Sequence, residues 1–270
     1  MHQLARQTFP KIIWSAWFQG EDNAPEVPRA LFSRWRRANP QYEVRVLDEK
    51  VTRDVLADFP LRVEDIPFAA RSDILRSKVL AEYGGIWTDA STLCVHPLDR
   101  WLEKFEDAEL FAFESPGPDR LLSSWFLACA PNSLLMQRWW QEVQDYWQKP
   151  RVVDLNVYSP HVIPTDPVWE VSPNGGASGD SFPYFWFHYL FERIITTVPA
   201  CRQIWNSAPK LPAAPAHSLQ ELFRDSPSIG VIKSKETACE SPIQKLDWRH
   251  SESTATLEQL IYMLNNKRSE

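Results

Sequence analysis

Glycine is scarce in this chain, with 8 in 270 residues. No GxGxxG, P-loop or GxSxG pattern occurs, so dehydrogenase, P-loop kinase and serine hydrolase readings have no motif support. Cysteine is sparse as well. Cys94, Cys129, Cys201 and Cys239 lie far apart and form no CxxC pair, which points to buried or incidental thiols rather than a zinc site or a disulfide framework. No apolar run reaches the ~18–20 residues needed to span a bilayer. The opening, MHQLARQTFPKIIW, holds no signal-peptide core before its first proline, and a cytoplasmic location is the default expectation. His96, His161, His217 and His250 show no HExxH or comparable ligand spacing. Positive charge is not in excess either. The net charge of −6 disfavours a general nucleic-acid binder.

What remains is an ordinary globular composition, 44% hydrophobic and 24% charged. The length suits one large domain, or a core with additions. Tryptophan is unusually frequent, at 13 residues against 22 prolines. Its rings stack well on sugars and nucleobases, but packing is their commonest role.

Periodicity and breakers divide the chain into alternating elements. Lys11–Phe18 reads as a buried first strand, Gly20–Pro28 as a loop, Arg29–Asn39 as a helix stopped by Pro40, and Tyr42–Leu47 as a second strand. A helix and short strand follow over 69–89, then Thr92–Val95, with strand candidates at Glu109–Phe113 and Ser124–Ala130. Leu134–Trp147 has Leu135, Trp139 and Val143 at four-residue steps, as an amphipathic helix requires. Residues 148–180 read as a long loop of the kind that serves as a lid, with turns at Pro173-Asn174-Gly175-Gly176. Tyr184–Val198 reads as a helix, 207–217 as a proline-rich segment, Gly230–Lys233 as a short strand and Leu257–Asn265 as a terminal helix. Alternating strands and helices predict an α/β architecture with a mainly parallel sheet.

The most informative stretch is AARSDILRSKVLAEYGGIWTDAS, residues 69–91. Asp73 and Arg76 stand at i and i+3 on one helix face, Gly84-Gly85 ends the helix, and Ile86-Trp87 leads to Asp89 at a strand end. Ligands gather at the carboxyl ends of strands in open α/β sheets. A carboxylate there can bind a divalent ion that neutralises a diphosphate. Asp73 could accept from a sugar hydroxyl, while the planar fork of Arg76 suits phosphate. Read without function, Asp89 is a turn residue and the helix pair is a surface ion pair contributing at most about 0.5 kcal/mol.

The segment SDILRSKVLAEYGGIWTDAS resembles the sugar-binding region shared by initiation-type mannosyltransferases and bacterial capsular polysaccharide synthesis proteins, and more distantly the large clostridial glucosylating toxins. PKIIWSAWFQG, SRWRRANPQYEVRVLDE, PYFWFHYLFE and SPIQKLDW resemble further blocks, so the likeness covers roughly residues 9–250 in pieces. It implies a GT-A-like, nucleotide-sugar-binding α/β domain with a mainly parallel central sheet flanked by helices. One such domain would fill 1–270, with a nucleotide-sugar half over about 9–115, an acceptor-side half over about 116–250 and a C-terminal helix over about 255–266. It implies a retaining glycosyltransferase that moves a hexose-type sugar from a nucleotide diphosphate donor to a bacterial surface polysaccharide of capsule or O-antigen type. A non-catalytic glycan- or nucleotide-binding protein on the same scaffold is the alternative.

By the same resemblance Asp89, Arg76 and Lys245 are the catalytic residues, and Trp17, Asp73, Arg76, Gly85, Asp89 and Ser91 bind the donor, with Trp17 stacked on the nucleobase. Asp180 and His188 are the acceptor-side candidates, although His188 in its aromatic helix is more simply read as a packing residue. The family's second acidic residue is replaced in Asp89-Ala90-Ser91. A divalent cation (Mn or Mg) held by Asp89 and Ser91 is therefore a weakened expectation, because a hydroxyl is a neutral, poorer ligand for a hard ion. Without a metal, Arg76 and Lys245 must carry the diphosphate charge. The expected partners are a nucleotide-sugar and a glycan or lipid-linked glycan. Peripheral contact at the inner face of a membrane could come through Arg34-Trp35-Arg36-Arg37, which reads equally as a solvated helix face.

Overall fold

A computed structural model describes residues 8–173, 175, 180–247 and 254–266. β1 (Ile12–Ala16) leads to α1 (Glu26–Ala38), β2 (Glu43–Leu47), α2 (Glu49–Val55), α3 (Phe68–Tyr83), β3 (Gly85–Thr88) and β4 (Thr92–Cys94). A hairpin of β5 (Leu110–Gly117) and β6 (Arg120–Cys129) follows, then α4 (Leu134–Tyr146), a single turn α5 (Pro167–Glu170), α6 (Trp186–Thr197) and α7 (Pro199–Ser207). The chain continues through β7 (Lys210–Pro212), α8 (Ala214–Asp225), α9 (Val231–Ala238), β8 (Ile243–Lys245) and α10 (Thr254–Asn265).

Six strands form the main sheet in the order β2-β1-β3-β6-β5-β7. The β1–β2, β1–β3 and β5–β7 pairs are parallel, whereas β6 runs antiparallel to both β3 and β5. Five strands therefore share one direction, and the expectation of an α/β architecture with a mainly parallel sheet flanked by helices holds. β4 and β8 form a separate antiparallel pair.

Side chains alternate between the two faces of the sheet, as a period of two requires. Trp14, Trp87, Leu110, Ala112, Leu127 and Cys129 face one core, which packs on α3, α4 and α6. Ile13, Ile86, Phe111, Phe113, Phe126 and Ala128 face the other, which packs on Trp35 of α1 and on Trp101. A third cluster joins α1, β4, α8 and α10 through Leu31, Leu93, Leu219 and Leu260. Trp35, Trp87, Trp139, Trp147 and Trp186 are fully buried, the packing role expected of most tryptophans. Cys94, Cys129 and Cys201 are buried free thiols and Cys239 is an exposed one.

Several sequence expectations need correction. Gly230–Lys233 is not a strand. Gly230 is the extended residue before α9, whose Ser234, Thr237 and Ala238 make the buried face while Ile232 is exposed. The β-branched Val231-Ile232 pair masked this 3.6-residue period. The proline-rich 207–217 segment contains β7 and the start of α8, where Pro215 lies in the first turn, a position that needs no amide hydrogen bond. The 148–180 segment includes α5 and a bridge between Val152 and Ser181, while Asn174 and Gly176 of its expected turns lie outside the described residues. The basic run of α1 is only half solvent-facing, through Arg36 and Arg37. Arg34 is 5% exposed and donates to the carbonyls of Cys94 and Val95 at 2.8 and 2.9 Å. Trp35 is buried, and Arg36 pairs with Glu21. No helix among the described residues is long and apolar enough to cross a membrane.

The α3–β3 junction explains the paired glycines. Gly84 and Gly85 have φ of +66° and +93°, values that side chains with a Cβ rarely adopt. A Cβ on Gly85 would come within 2.6 Å of Ile12 Cγ2 and 2.9 Å of its carbonyl oxygen. Gly85→Ala is expected to destabilise the fold by roughly 2 kcal/mol or more through strain and collision, read as a lowered Tm by circular dichroism.

Candidate active site

The chain reverses sharply after β3. Asp89 donates its amide to the Trp125 carbonyl at 2.9 Å, which extends the β3–β6 ladder, and its own carbonyl accepts from Thr92 N at 3.0 Å. This tight turn presents Asp89, Ala90 and Ser91 to a cleft of about 920 Å³, a size typical of small-molecule sites.

Asp89 is held from three sides. Arg76 Nη2 donates to Oδ1 at 2.7 Å and Trp87 Nε1 to the same oxygen at 3.0 Å, while Lys245 Nζ reaches Oδ2 at 3.1 Å. Arg76 also donates from Nη1 to Asp73 Oδ1 at 2.5 Å. Its guanidinium lies 5.0 Å from the Trp87 ring centroid and 5.7 Å from that of Phe187. With 3% of its side chain exposed, Arg76 stands behind the two carboxylates and gives both terminal amines to them. It thus organises Asp73 and Asp89 at the wall of the cleft.

Lys245 arrives from the far end of the chain. β8 pairs Lys245 with Thr92, and Leu246 N donates to Ser91 O at 2.8 Å, so β8 braces the turn. The neighbouring Gln244 is fully buried. Its side-chain amide donates to the carbonyls of Pro215 and Ala238 at 2.9 and 3.1 Å, and its oxygen accepts from Leu219 N at 3.2 Å.

The two carboxyls differ electrostatically. Burial works against ionisation of Asp89, but Lys245, Arg76 and the hydrogen bonds outweigh it and bring the group down to about 2. Burial dominates at Asp73, which rises to about 7, with ionised Asp89 adding to the effect and Arg76 opposing it. His188 lies well below the ordinary imidazole value because of burial, then the positive charge of Arg120 and Arg76, and is neutral at physiological pH.

Trp17, Asp73, Arg76, Asp89, Ser91, His188 and Lys245 all line the cleft, so the structure brings together most of the residues singled out from the sequence. Two stand elsewhere. Gly85 is at the buried start of β3, against Ile12, where its role is steric. Asp180 is 67% exposed and pairs with Lys149 at 3.5 Å, away from the cleft. Arg120, Tyr158, Tyr184, His217 and Gln220 line the cleft as well. They sit at a strand start, in loops and on a helix without a local motif, and only the fold shows them converging. A stacked Phe18–Phe68 pair, with ring centroids 5.6 Å apart, forms a shelf beside Trp17.

Lys245 Nζ also donates to Ser91 Oγ at 2.5 Å. Asp89 and Ser91 therefore converge on one cation position, which the ammonium fills. A divalent ion at that position would have one charged and one neutral protein ligand, Asp89 and Ser91, a sparse set of the kind magnesium accepts when it keeps several waters. No group of three His, Cys, Asp or Glu side chains able to hold a metal occurs among the described residues.

The profile of a family described as "Capsular polysaccharide synthesis protein" matches residues 2–158, more than half of the chain. The chain belongs to this family. A glycosyltransferase, afumC, of Aspergillus fumigatus is 29% identical over 192 residues, covering 59% of this chain and 49% of the relative. An initiation-specific alpha-1,6-mannosyltransferase of Candida albicans is 30% identical over 108 residues, covering 36% of this chain and 28% of the relative. Matches thus span about half or less of these curated relatives' length. Among solved structures, the PaToxG glycosyltransferase superposes with a TM-score of 0.47 at 13% identity, over 96% of this chain and 88% of that one.

The elevated Asp73 carboxyl makes folding pH-dependent. Between about 4 and about 7 the folded state retains a proton that the unfolded chain has released, so stability falls as pH rises through this window and the cost is complete above it. Asp89 acts oppositely, and its contribution is lost only as pH falls from about 4 towards 2. Asp73→Asn, which cannot ionise, is expected to gain thermal stability relative to the parent as pH is raised from 5 to 8. Parallel melting curves across that range check it.

Proposed function

We propose that this chain is a glycosyltransferase that moves a sugar from a nucleoside diphosphate donor to a glycan-type acceptor with retention of anomeric configuration. The observation that carries the reading is Asp89, at the end of β3 in an open cleft, with Arg76 and Lys245 on its two oxygens. Membership of the capsular polysaccharide synthesis family supports a sugar-transfer chemistry, and the glycosyltransferase names of the curated relatives agree with it. In this reading the acceptor is a bacterial surface polysaccharide of capsule or O-antigen type, and the family description, which names capsular polysaccharide, supports the capsule. The relatives named above are fungal and lend no support to that acceptor.

In this reading the base packs near Trp17 and the Phe18–Phe68 shelf. The diphosphate lies at Lys245, whose side chain is 20% exposed and can turn from Asp89 and Ser91 to a phosphate oxygen. Asp73 accepts from a donor hydroxyl. Donor residues Trp17, Asp73, Arg76 and Asp89 fall in the 9–115 half and His188 in the 116–250 half, and Lys245 returns to the donor from the second half.

Transfer then proceeds on one face of the sugar. The bond between the anomeric carbon and the phosphate oxygen breaks, the acceptor oxygen bonds to that carbon, and the acceptor's hydroxyl proton passes to the departing phosphate. No protein nucleophile is required. Asp89 is poorly suited to be one, because both its oxygens accept hydrogen bonds and its basicity is low. The chain's contribution is positioning, together with preorganised positive charge where negative charge develops. When a divalent ion accompanies the donor, Asp89 and Ser91 would hold it, and it would supply further neutralisation at the diphosphate.

The first test is a panel of nucleotide-sugars, scored for binding and for slow hydrolysis without acceptor. One donor is expected to be bound and hydrolysed. A folded protein silent across the panel would sink the enzymatic reading. Asp89→Asn keeps the side-chain shape and is expected to lower turnover by about 100-fold or more while the protein remains folded. Near-parental turnover in that variant removes Asp89 from the chemistry. Lys245→Ala is expected to make binding of a nucleoside diphosphate such as UDP or GDP more dependent on magnesium or manganese than in the parent, measured by calorimetry with the ion and with chelator.

A further inference from the structure

The cleft holds a third strong cation, Arg120, that the donor reading does not use. Arg120 opens β6 and lines the cleft. Its Nε donates to Asp119 Oδ1 at 3.1 Å. Asp119 is itself buried, and its second oxygen accepts from Tyr189 OH at 2.7 Å. The guanidinium carbon lies 3.5 Å from the Phe185 ring centroid, which fixes the plane of the fork. The side chain is 17% exposed, so Asp119 and Phe185 pin it in a half-dry site.

What distinguishes Arg120 is what remains free. Each terminal amine of Arg76 already donates to a carboxylate, Asp73 or Asp89, on a side chain only 3% exposed, and Lys245 is shared between Asp89 and Ser91. Among the described residues Arg120 has its one bond through Nε, so its two terminal amines keep their N–H donors for a ligand. Its paired anion, Asp119, belongs to a network separate from that of Asp73 and Asp89. The two arginines lie against aromatic residues two apart at the start of α6, Arg120 on Phe185 and Arg76 on Phe187, with His188 next in sequence. Tyr158 and Tyr184, with ring centroids 5.3 Å apart, line the same cleft and suit sugar faces.

A planar, immobilised fork with free donors matches an oxyanion with two adjacent oxygens. We propose that Arg120 forms a second anion site on the acceptor side of the cleft, and that the molecule accepting the sugar carries a carboxylate or a phosphate that this fork receives. The inference rests on the glycosyltransferase reading for the word acceptor, and on the geometry of Arg120 alone for the anion.

Calorimetric titration of the full chain, in the presence of UDP or GDP, with a hexuronate, a hexose phosphate and the neutral hexose tests it. At least one acidic sugar is expected to bind about tenfold or more tighter than the neutral one. A preference for hexuronate identifies a carboxylate, and a preference for hexose phosphate identifies a phosphate. Arg120→Gln is expected to abolish that preference while nucleoside diphosphate affinity changes by less than about threefold. The comparison of sugars within the parent chain needs no variant, and so stands if Arg120→Gln fails to fold. Equal binding of neutral and acidic sugars overturns the proposal. So does a loss of nucleoside diphosphate affinity in Arg120→Gln, which would assign the residue to the donor. A parent that prefers acidic sugars yet binds no nucleoside diphosphate overturns the donor reading and leaves this anion site standing.

Discussion

The structure turns on one buried charge arrangement: a carboxylate at the end of β3 shared by a guanidinium from α3 and an ammonium from β8. Charges taken out of water are costly unless paired with good geometry, and here each partner comes from a different part of the chain. The arrangement therefore ties α3, the central sheet and the C-terminal region to a single point. The surrounding rings of Trp87 and Phe187 exclude water from Arg76, which strengthens the pairing and keeps the carboxylates oriented towards the open cleft.

That point is polarised in a useful way. Two acidic groups share one arginine, yet burial dominates at Asp73 and favours its protonated form, whereas Lys245 and Arg76 together outweigh burial at Asp89 and keep it ionised.

Much of the framework was legible in the sequence because it rests on local signals. The α3–β3 unit announces itself through Gly84-Gly85 and through Asp73 and Arg76 at helical spacing, and β1, β2, α1, α4, α6 and α10 follow from periodicity and breakers. Asp73, Asp89, Ser91, Trp17 and Lys245 were found through motif blocks, and the cleft brings them together. Other features were not legible, for physical reasons. Gly85 was read as a donor contact only because it belongs to the block that carries the resemblance, but its value is the space it leaves for Ile12. Asp180 had an acidic side chain in a plausible loop, and only its solvent exposure and pairing with Lys149 separate it from the cleft. Arg120 has no motif at all. Its significance depends on Tyr189, seventy residues after Asp119, holding the carboxylate that holds it. Helix α9 was hidden by a β-branched pair at its exposed start.

Gln244 gives the site a means of checking its own alignment. Strand β8 is three residues long, and a slip of one residue would turn Lys245 to the opposite face and bring a neighbour in its place. So short a ladder has little grip of its own. The buried amide of Gln244 is satisfied in one setting, where it meets the backbone of α8 and the end of α9 simultaneously. It works as a detent that the strand clicks into, so that the ammonium of the next residue is delivered to Asp89 from a distance of 156 positions in the sequence. Changes in α8 or α9 that never approach a ligand can therefore silence the cleft by letting this detent slip, and the tolerance of those helices to substitution is set by the alignment of a strand they merely flank.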